Sequence, residues 1–381
     1  MNNSKSKINE PIWNKLPLIK VNNIDFNIDK SLLILSTNYG YRIYDNKAFN
    51  LLSSLDKNQE NFGSLKKTSV FFSSYLICFL GTDNNEVYRS NQIFFYNDYK
   101  KKNIALINFH EKIYDFFLSK YLFIICLKNK ILIYELTSLK YIYQIEEAEI
   151  NKDLISINSK IENKLKFITL GYISKYYKDL NVISLVTYII DNNYKISHFK
   201  KNAITTIFNN ISKIKLEKNN KLIAVSELEN KIHIYDINYN NLLFCIYLGN
   251  NILNLDFSFS EHDEFFSCFF NNEIDIFKLK DFNNYHKYQC NCYSHSDKEN
   301  IQKKKINSSI KDYFIKMFDD STETFLRNNI NLNGDFFKCY FNHYNDNEII
   351  LISNNGNINI YNFNKFEKKN LEIIKEISLF Q

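Results

Sequence analysis

Two neighbouring stretches of this chain carry side chains whose types and spacing could do chemistry. Lys303, Lys304 and Lys305 form a run of three cations. Ile310, Tyr313, Phe314, Met317 and Phe318 follow at i, i+3, i+4, i+7 and i+8, so they would share one face of a helix. A basic run beside an apolar face suits a membrane interface, because the lysines meet anionic headgroups while the apolar side chains enter the boundary layer. Just upstream, His286, Cys290, Cys292 and His295 offer zinc-type ligands. Their Cys-x-Cys spacing is tighter than the usual gap of a zinc knuckle, so chance placement in a polar loop is the expectation and no metal is assigned. Elsewhere the sequence has no Gly-rich phosphate loop, nucleophile elbow or metalloprotease helix. The expectation is a protein that binds rather than catalyses, with no cofactor.

The elements that must hold such segments follow from composition. Of 381 residues, 45% are apolar and 16% aromatic, with many Ile and few Ala. Those residues suit pleated, half-buried strands, so the class is all-β. With only 7 Gly and 2 Pro, most tight turns must rely on Asn and Asp, which tolerate a left-handed backbone and bond their own main chain. The surplus of Asn, Lys, Ile, Tyr and Phe resembles the coding bias of an A+T-rich genome, as in apicomplexan parasites. A net charge of +6 permits attraction to anionic membranes or acidic partners, but it lacks the concentrated basic face of a nucleic-acid binder, so no nucleic acid is expected. The polar N-terminus cannot be the apolar core of a signal peptide. The apolar stretches from Val70 to Leu80 and from Tyr121 to Leu127 fall short of the roughly 18 residues that span a bilayer. Seven irregularly spaced cysteines do not read as a disulfide framework, which points to a reducing compartment.

Internal repetition decides the fold. One strand ending recurs: a residue that is usually aliphatic, two more residues, an aromatic and a polar pair. It occurs at Tyr41–Tyr44, Ile93–Tyr96, Ile131–Tyr134, Ile232–Tyr235, Ile274–Phe277 and Ile358–Tyr361. Apolar strands closing on a turn precede several of them, which makes hairpins. The aromatics step by 52, 38, 101, 42 and 84 residues. The step of 101 leaves room for a degenerate repeat at Val182–Ile190, and the step of 84 contains a polar insert at 283–333. Seven units of this size predict a seven-bladed WD-repeat-type β-propeller, a single domain over 1–381 whose first and last strands meet to close the ring. A β-sandwich with coincidental hairpins explains the constant strand ending less well.

Ser36–Tyr44, residues 76–109 with Asn97-Asp98-Tyr99-Lys100 after the strand, residues 121–136 and residues 222–277 together resemble the PROPPINs, the WIPI-like phosphoinositide-binding propellers of autophagy. The resemblance covers nearly the whole chain and is weakest over 141–200. It implies a scaffold peripheral to endosomal, autophagosomal or other internal membranes, exposed to the cytoplasm, which reads phosphoinositides (PI3P or PI(3,5)P2) and recruits an autophagy or lipid-transfer partner. It also implies a Phe-or-Leu-Arg-Arg-Gly motif between blades five and six, with each guanidinium in its own phosphate pocket. Here that motif is Ile246, Tyr247, Leu248 and Gly249, with both arginines absent. A second signature, ending in Arg, here ends at His233 after Lys231. Two lost charged contacts at about 1.5–3 kcal/mol each should weaken lipid binding. A weaker basic site made of His233, Lys231, His198 and Lys201 is one alternative, and solvated rim residues are the other. The insert stands where the family carries a membrane-inserting loop; the competing expectation is that it folds back as the outer strand of blade six and buries its aromatics. A propeller that has lost lipid reading and serves only as a protein-interaction platform is the alternative function.

Overall fold

The computed structural model describes residues 19–55, 63–146, 148–149, 154–162, 165–177, 180–191, 196–205, 211–227, 231–248, 252, 255–262, 264–271, 273–279, 326–329, 336–363 and 371–380. The described strands form seven antiparallel sheets, each from one contiguous segment, which together make a seven-bladed β-propeller. Blade one comprises Val21–Phe26, Leu32–Thr37, Gly40–Asp45 and Leu51–Leu55; blade two Leu65–Val70, Leu76–Gly81, Gln92–Asn97 and Lys102–Asn108. Blade three comprises Ile113–Leu118, Leu122–Leu127, Ile131–Glu135 and Tyr141–Ile145; blade four Ile155–Glu162, Leu165–Tyr177, Leu180–Ile190 and Ile196–Thr205. Blade five comprises Ile211–Leu216, Leu222–Glu227, Lys231–Asp236 and Asn241–Tyr247; blade six Asp256–Phe259, Phe265–Phe270, Glu273–Lys278 and Leu326–Asn329. Blade seven comprises Phe336–Asn342, Asn345–Ser353, Asn357–Asn362 and Glu372–Ser378. Strands are lettered a to d in this order. Blade four adds the two-residue strand Ala148–Glu149 beside its strand b.

Burial fixes which end of each blade faces the axis. Strand a packs against strand a of the next blade at the one–two, two–three, four–five and six–seven junctions. The d strands leave Leu51, Leu52, Ile104, Leu106, Ile373 and Ile374 open to solvent. Strand a is therefore innermost and strand d lies at the rim. Between them, the b strands Leu32–Thr37, Leu122–Leu127 and Phe265–Phe270 are buried throughout, as strands covered on both faces should be. Seven apolar clusters fill the seven junctions between blades.

Among the described residues the ring closes by packing rather than by strand exchange. Val21, Ile24, Leu33, Leu35 and Tyr44 of blade one pack with Ile350, Ile352, Ile358 and Ile360 of blade seven. The Val21 N–H donates to the Asn354 carbonyl at 2.9 Å, and the Tyr44 hydroxyl donates to the Leu379 carbonyl at 2.8 Å. The expected meeting of first and last strands thus takes the form of two complete sheets docking face to face.

The recurring aromatics all lie on strand c, and a register shift against strand d falls just before Tyr44, Tyr96, Tyr134, Tyr235 and Tyr361. The same shift precedes Tyr188 of blade four, which divides the step of 101 residues and supplies the missing anchor. The strand ending is therefore the sequence trace of a β-bulge. Turn chemistry follows expectation in its side-chain bonds and departs from it in where the left-handed residue falls. Asp45, Asn97 and Asp236 open their turns and accept main-chain bonds with their side chains. The left-handed position then falls later, on Phe49, Lys101 and Asn240. Side-chain capping settles the turn, and the strained position takes whichever residue follows. In blade six, Leu326–Asn329 pairs with Glu273–Ile276, so those four residues of the expected 283–333 insert form strand d. The insert residues named above, 286–318, lie outside the described residues.

Candidate functional site

The positions expected to read lipid sit on strands c and d of blade five. Register sets Lys231 opposite Tyr247, Ile232 opposite Ile246 and His233 opposite Cys245. Side chains alternate across a strand. The face carrying Tyr235 therefore turns to blade four, where Tyr235 packs with Ile183, Leu185 and Ile204. The other face turns to blade six, where Ile232, Ile246 and Leu248 pack with Phe257, Phe266 and Cys268. The neighbours Tyr247 and Leu248 thus address two different clefts, the geometry that two adjacent side chains need in order to grip two separate phosphates. They differ sharply in surroundings, for Tyr247 is 56% exposed and Leu248 only 8%. Gly249 lies outside the described residues. His198 and Lys201 stand on strand d of blade four, paired with Tyr188 and Val186, and their side chains lie outside the described ones.

Among the described side chains, the cleft between blades four and five carries little free positive charge. His233 is buried, with Nε2 3.1 Å from a Glu227 carboxylate oxygen, and Lys231 Nζ lies 4.0 Å from the same oxygen. Burial pushes the His233 imidazole below its ordinary pKa, outweighing the hydrogen bond and charge of Glu227 that pull it up. At neutral pH the ring is uncharged, and Glu227 offsets Lys231. Burial likewise pushes the Cys245 thiol up to about 11, so it is no nucleophile.

A pH effect follows from His233. Its folded pKa is depressed, so its contribution to stability is full above the ordinary imidazole value of about 6.5 and is lost as pH falls below it. Melting temperature should therefore drop between pH 7 and pH 5.5, and His233→Gln should make the drop smaller. Equal slopes for parent and variant would count against a buried neutral imidazole.

Sequence reading passed over a repeated site on the innermost strands. Lys67, Asp115, Lys213 and Lys338 each stand two residues after a large apolar residue, and a register shift separates the two. Asp256, Asp25 and Lys215 join them on strands a of blades six, one and five. Lys67 Nζ lies 2.8 Å from Asp115 Oδ1 and 3.7 Å from Asp25 Oδ2, above the Phe117 ring at 4.1 Å. Asp256 pairs with Lys213, faces Lys338 at 4.0 Å and accepts the Cys339 N–H at 2.8 Å. Burial acts to raise the Asp256 pKa, but Lys213, Lys338 and Lys215 hold it well below the usual carboxylate range. A lone charge two residues after a large apolar one, repeated in several first strands, was the signal that could have revealed this girdle.

No family model matches the chain. It is 23% identical over 121 residues to SVP1-like protein 2 of Debaryomyces hansenii, covering 32% of this chain and 28% of that protein. It is 23% identical over 227 residues to Autophagy-related protein 18e of Arabidopsis thaliana, covering 56% of this chain and 60% of that protein. The match therefore spans less than two thirds of either relative's length. Among solved structures, Kluyveromyces lactis Hsv2 superposes with a TM-score of 0.63 at 13% identity, over 95% of this chain and 99% of that one. KlAtg21, in complex with the coiled coil of AgAtg16, gives 0.65 at 15% identity, over 94% and 99%. At such identities the structural likeness is one of fold.

Proposed function

We propose that this propeller, whose curated relatives and solved neighbours are PROPPIN proteins, works as a PROPPIN-like scaffold at phosphoinositide-bearing membranes, with its usual lipid pockets degraded. It would sit peripherally on internal membranes and recruit partner proteins for autophagosome-type or vesicle membrane growth. The observation that carries this reading is the register of blade five, which aims Tyr247 and Leu248 at two separate clefts although neither is basic. A protein partner is suggested by KlAtg21, solved with a coiled coil bound to it. Residual membrane affinity would come from the Lys303–Phe318 segment rather than from the clefts. The second reading, a protein-interaction platform alone, is favoured by the apolar filling around Leu248 and the neutral His233.

Liposome flotation separates the two. The parent should float weakly and salt-sensitively with vesicles containing phosphatidylinositol 3-phosphate, and less with vesicles lacking it. Tyr247→Arg should increase flotation several-fold. Changing Phe314 and Phe318 together to Asp should abolish it without moving the melting temperature. A parent that floats equally with both kinds of vesicle, and does not respond to Tyr247→Arg, supports the platform alone. Unfolding of the double Asp variant would instead place those aromatics in a packed sheet.

A further inference from the structure

Two rim strands stay out of the core along their whole length. Among the d strands whose side chains are all described, only Lys102–Asn108 of blade two and Glu372–Ser378 of blade seven run for seven residues without a buried one. Each is the last strand of its sheet, so among the described residues one edge of its main chain has no partner strand. In blade two a single bond shows which groups lie on that edge. The Phe109 N–H donates to the Asn91 carbonyl at 2.9 Å, and Ile107 and Ala105 stand opposite Ile93 and Phe95 in the same register. Main-chain groups alternate across an antiparallel strand, so those of Ala105 and Ile107 bond inward to strand c while those of Leu106 and Asn108 turn outward. The side chains of Ala105 and Ile107 pack toward blade three. Ile104, the extra residue of this blade's bulge, and Leu106 are left 55% and 45% exposed.

An open edge pairs with a strand that complements it, and strand d of blade two complements itself. Laid antiparallel on a second copy about a two-fold axis at Ala105, it sets Ile104 opposite Leu106, Asn103 opposite Ile107 and Lys102 opposite Asn108. The exposed apolar side chains cover one another on both sides of the axis, and no like charges meet. Ala105 then faces its own copy in a pair without hydrogen bonds, the closer of the two antiparallel spacings, which a methyl group fits. Strand d of blade seven lacks this property. Its two-fold registers centred on residues 374, 375 and 376 set Glu372 against Glu376, Lys375 against Lys375 and Glu376 against Glu376.

We propose that the rim of blade two is a self-association edge, through which two copies of this chain pair strand d with strand d into one eight-stranded sheet. The pairing uses up both edges, so it stops at a dimer. One strand pair is small beside the interfaces of stable dimers, so the association is weak and grows with concentration. In the ring of seven, blade two stands across from blades five and six, and the dimer therefore carries its two Tyr247 rims at opposite ends. Drawing two vesicles together is a consequence that rests on the lipid reading of those rims; the pairing itself does not.

Sedimentation velocity on the full chain tests the pairing. The parent should shift from monomer toward dimer as its concentration is raised. Leu106→Pro removes an outward N–H and an exposed side chain while sparing the inner ladder, so it should weaken the dimer about tenfold or more with little change in melting temperature. Should that variant unfold, Ile104→Lys combined with Leu106→Lys makes the same test by setting lysine against lysine across the axis. Ile374→Lys, on the exposed strand d of blade seven, should leave the dimer unchanged. Mild oxidation should link Ala105→Cys into a covalent dimer, above the background of the parent's own cysteines, and should not link Asn108→Cys, which faces Lys102. A parent that stays monomeric at every concentration, a dimer that survives both edge variants, or equal cross-linking at positions 105 and 108 would overturn the pairing. Vesicle clustering is a separate readout: a dimer that leaves phosphatidylinositol 3-phosphate vesicles dispersed upholds the pairing and counts against the lipid reading of blade five.

Discussion

Asp256→Ala should be among the most damaging single changes to this propeller, lowering its stability by about 3–5 kcal/mol. The carboxylate is almost fully buried, engages Lys213, faces Lys338 and accepts the Cys339 N–H. Its removal takes a buried carboxylate from Lys213 and Lys338 and the acceptor from the Cys339 N–H. Lys213→Met combined with Asp256→Ala should recover part of the loss, since an uncompensated charge is worse than an apolar replacement of the pair. Urea unfolding of the single and double variants checks this; a loss below about 1 kcal/mol for Asp256→Ala would show the girdle to be ornamental. Acid should act through the same group. A depressed carboxylate contributes in full above its unfolded pKa near 4 and loses that contribution as pH falls through its folded value. Glu261, which Lys218 and Lys30 bring down to about 2 against the opposing effect of burial, behaves alike, so stability should fall steeply below about pH 4.

The second large effect lies on blade five. Leu248→Arg should cost about 3 kcal/mol or more, because the guanidinium would enter an apolar cleft lined by Ile246, Phe257, Phe266 and Cys268. Tyr247→Arg, one residue away on the exposed face, should stay within about 0.5 kcal/mol of the parent. Restoring both family arginines together is therefore expected to yield a poorly folded protein rather than a better lipid binder. Circular dichroism melts of the two single variants decide it. If Leu248→Arg folds as well as the parent, the cleft beside blade six is open and the pocket is less degraded than its packing indicates.

Much of the architecture was legible because it rests on local chemistry. The spacing that ends in Tyr44, Tyr96, Tyr134, Tyr235, Phe277 and Tyr361 marks strand c directly, and in all of these but Phe277 the aromatic follows a bulge at a fixed distance from the preceding apolar residue. Blade four was placed correctly at Val182–Ile190, yet its anchor Tyr188 went unnamed, because Leu185 and Tyr188 sit in a long, mostly apolar run with no turn signal beside them. The girdle was invisible for another reason. Asp25, Lys67 and Asp115 are far apart in sequence, and each alone looks like a solvated strand edge until the ring brings them into contact. The blade-five site was half legible. Lys231 and His233 stood out as basic, but only the folded register shows His233 buried against Glu227 and Leu248 sealed into the next blade.

Because each blade is one unbroken segment and the ring closes by docking two finished faces, the seam has no topological privilege. A growing chain can complete blade after blade, using contacts that are short in sequence, and leave the single long-range step, blade one against blade seven, until last. Among the described strands that junction can part without unpairing any of them, so the ring can spring open along it as a split washer does.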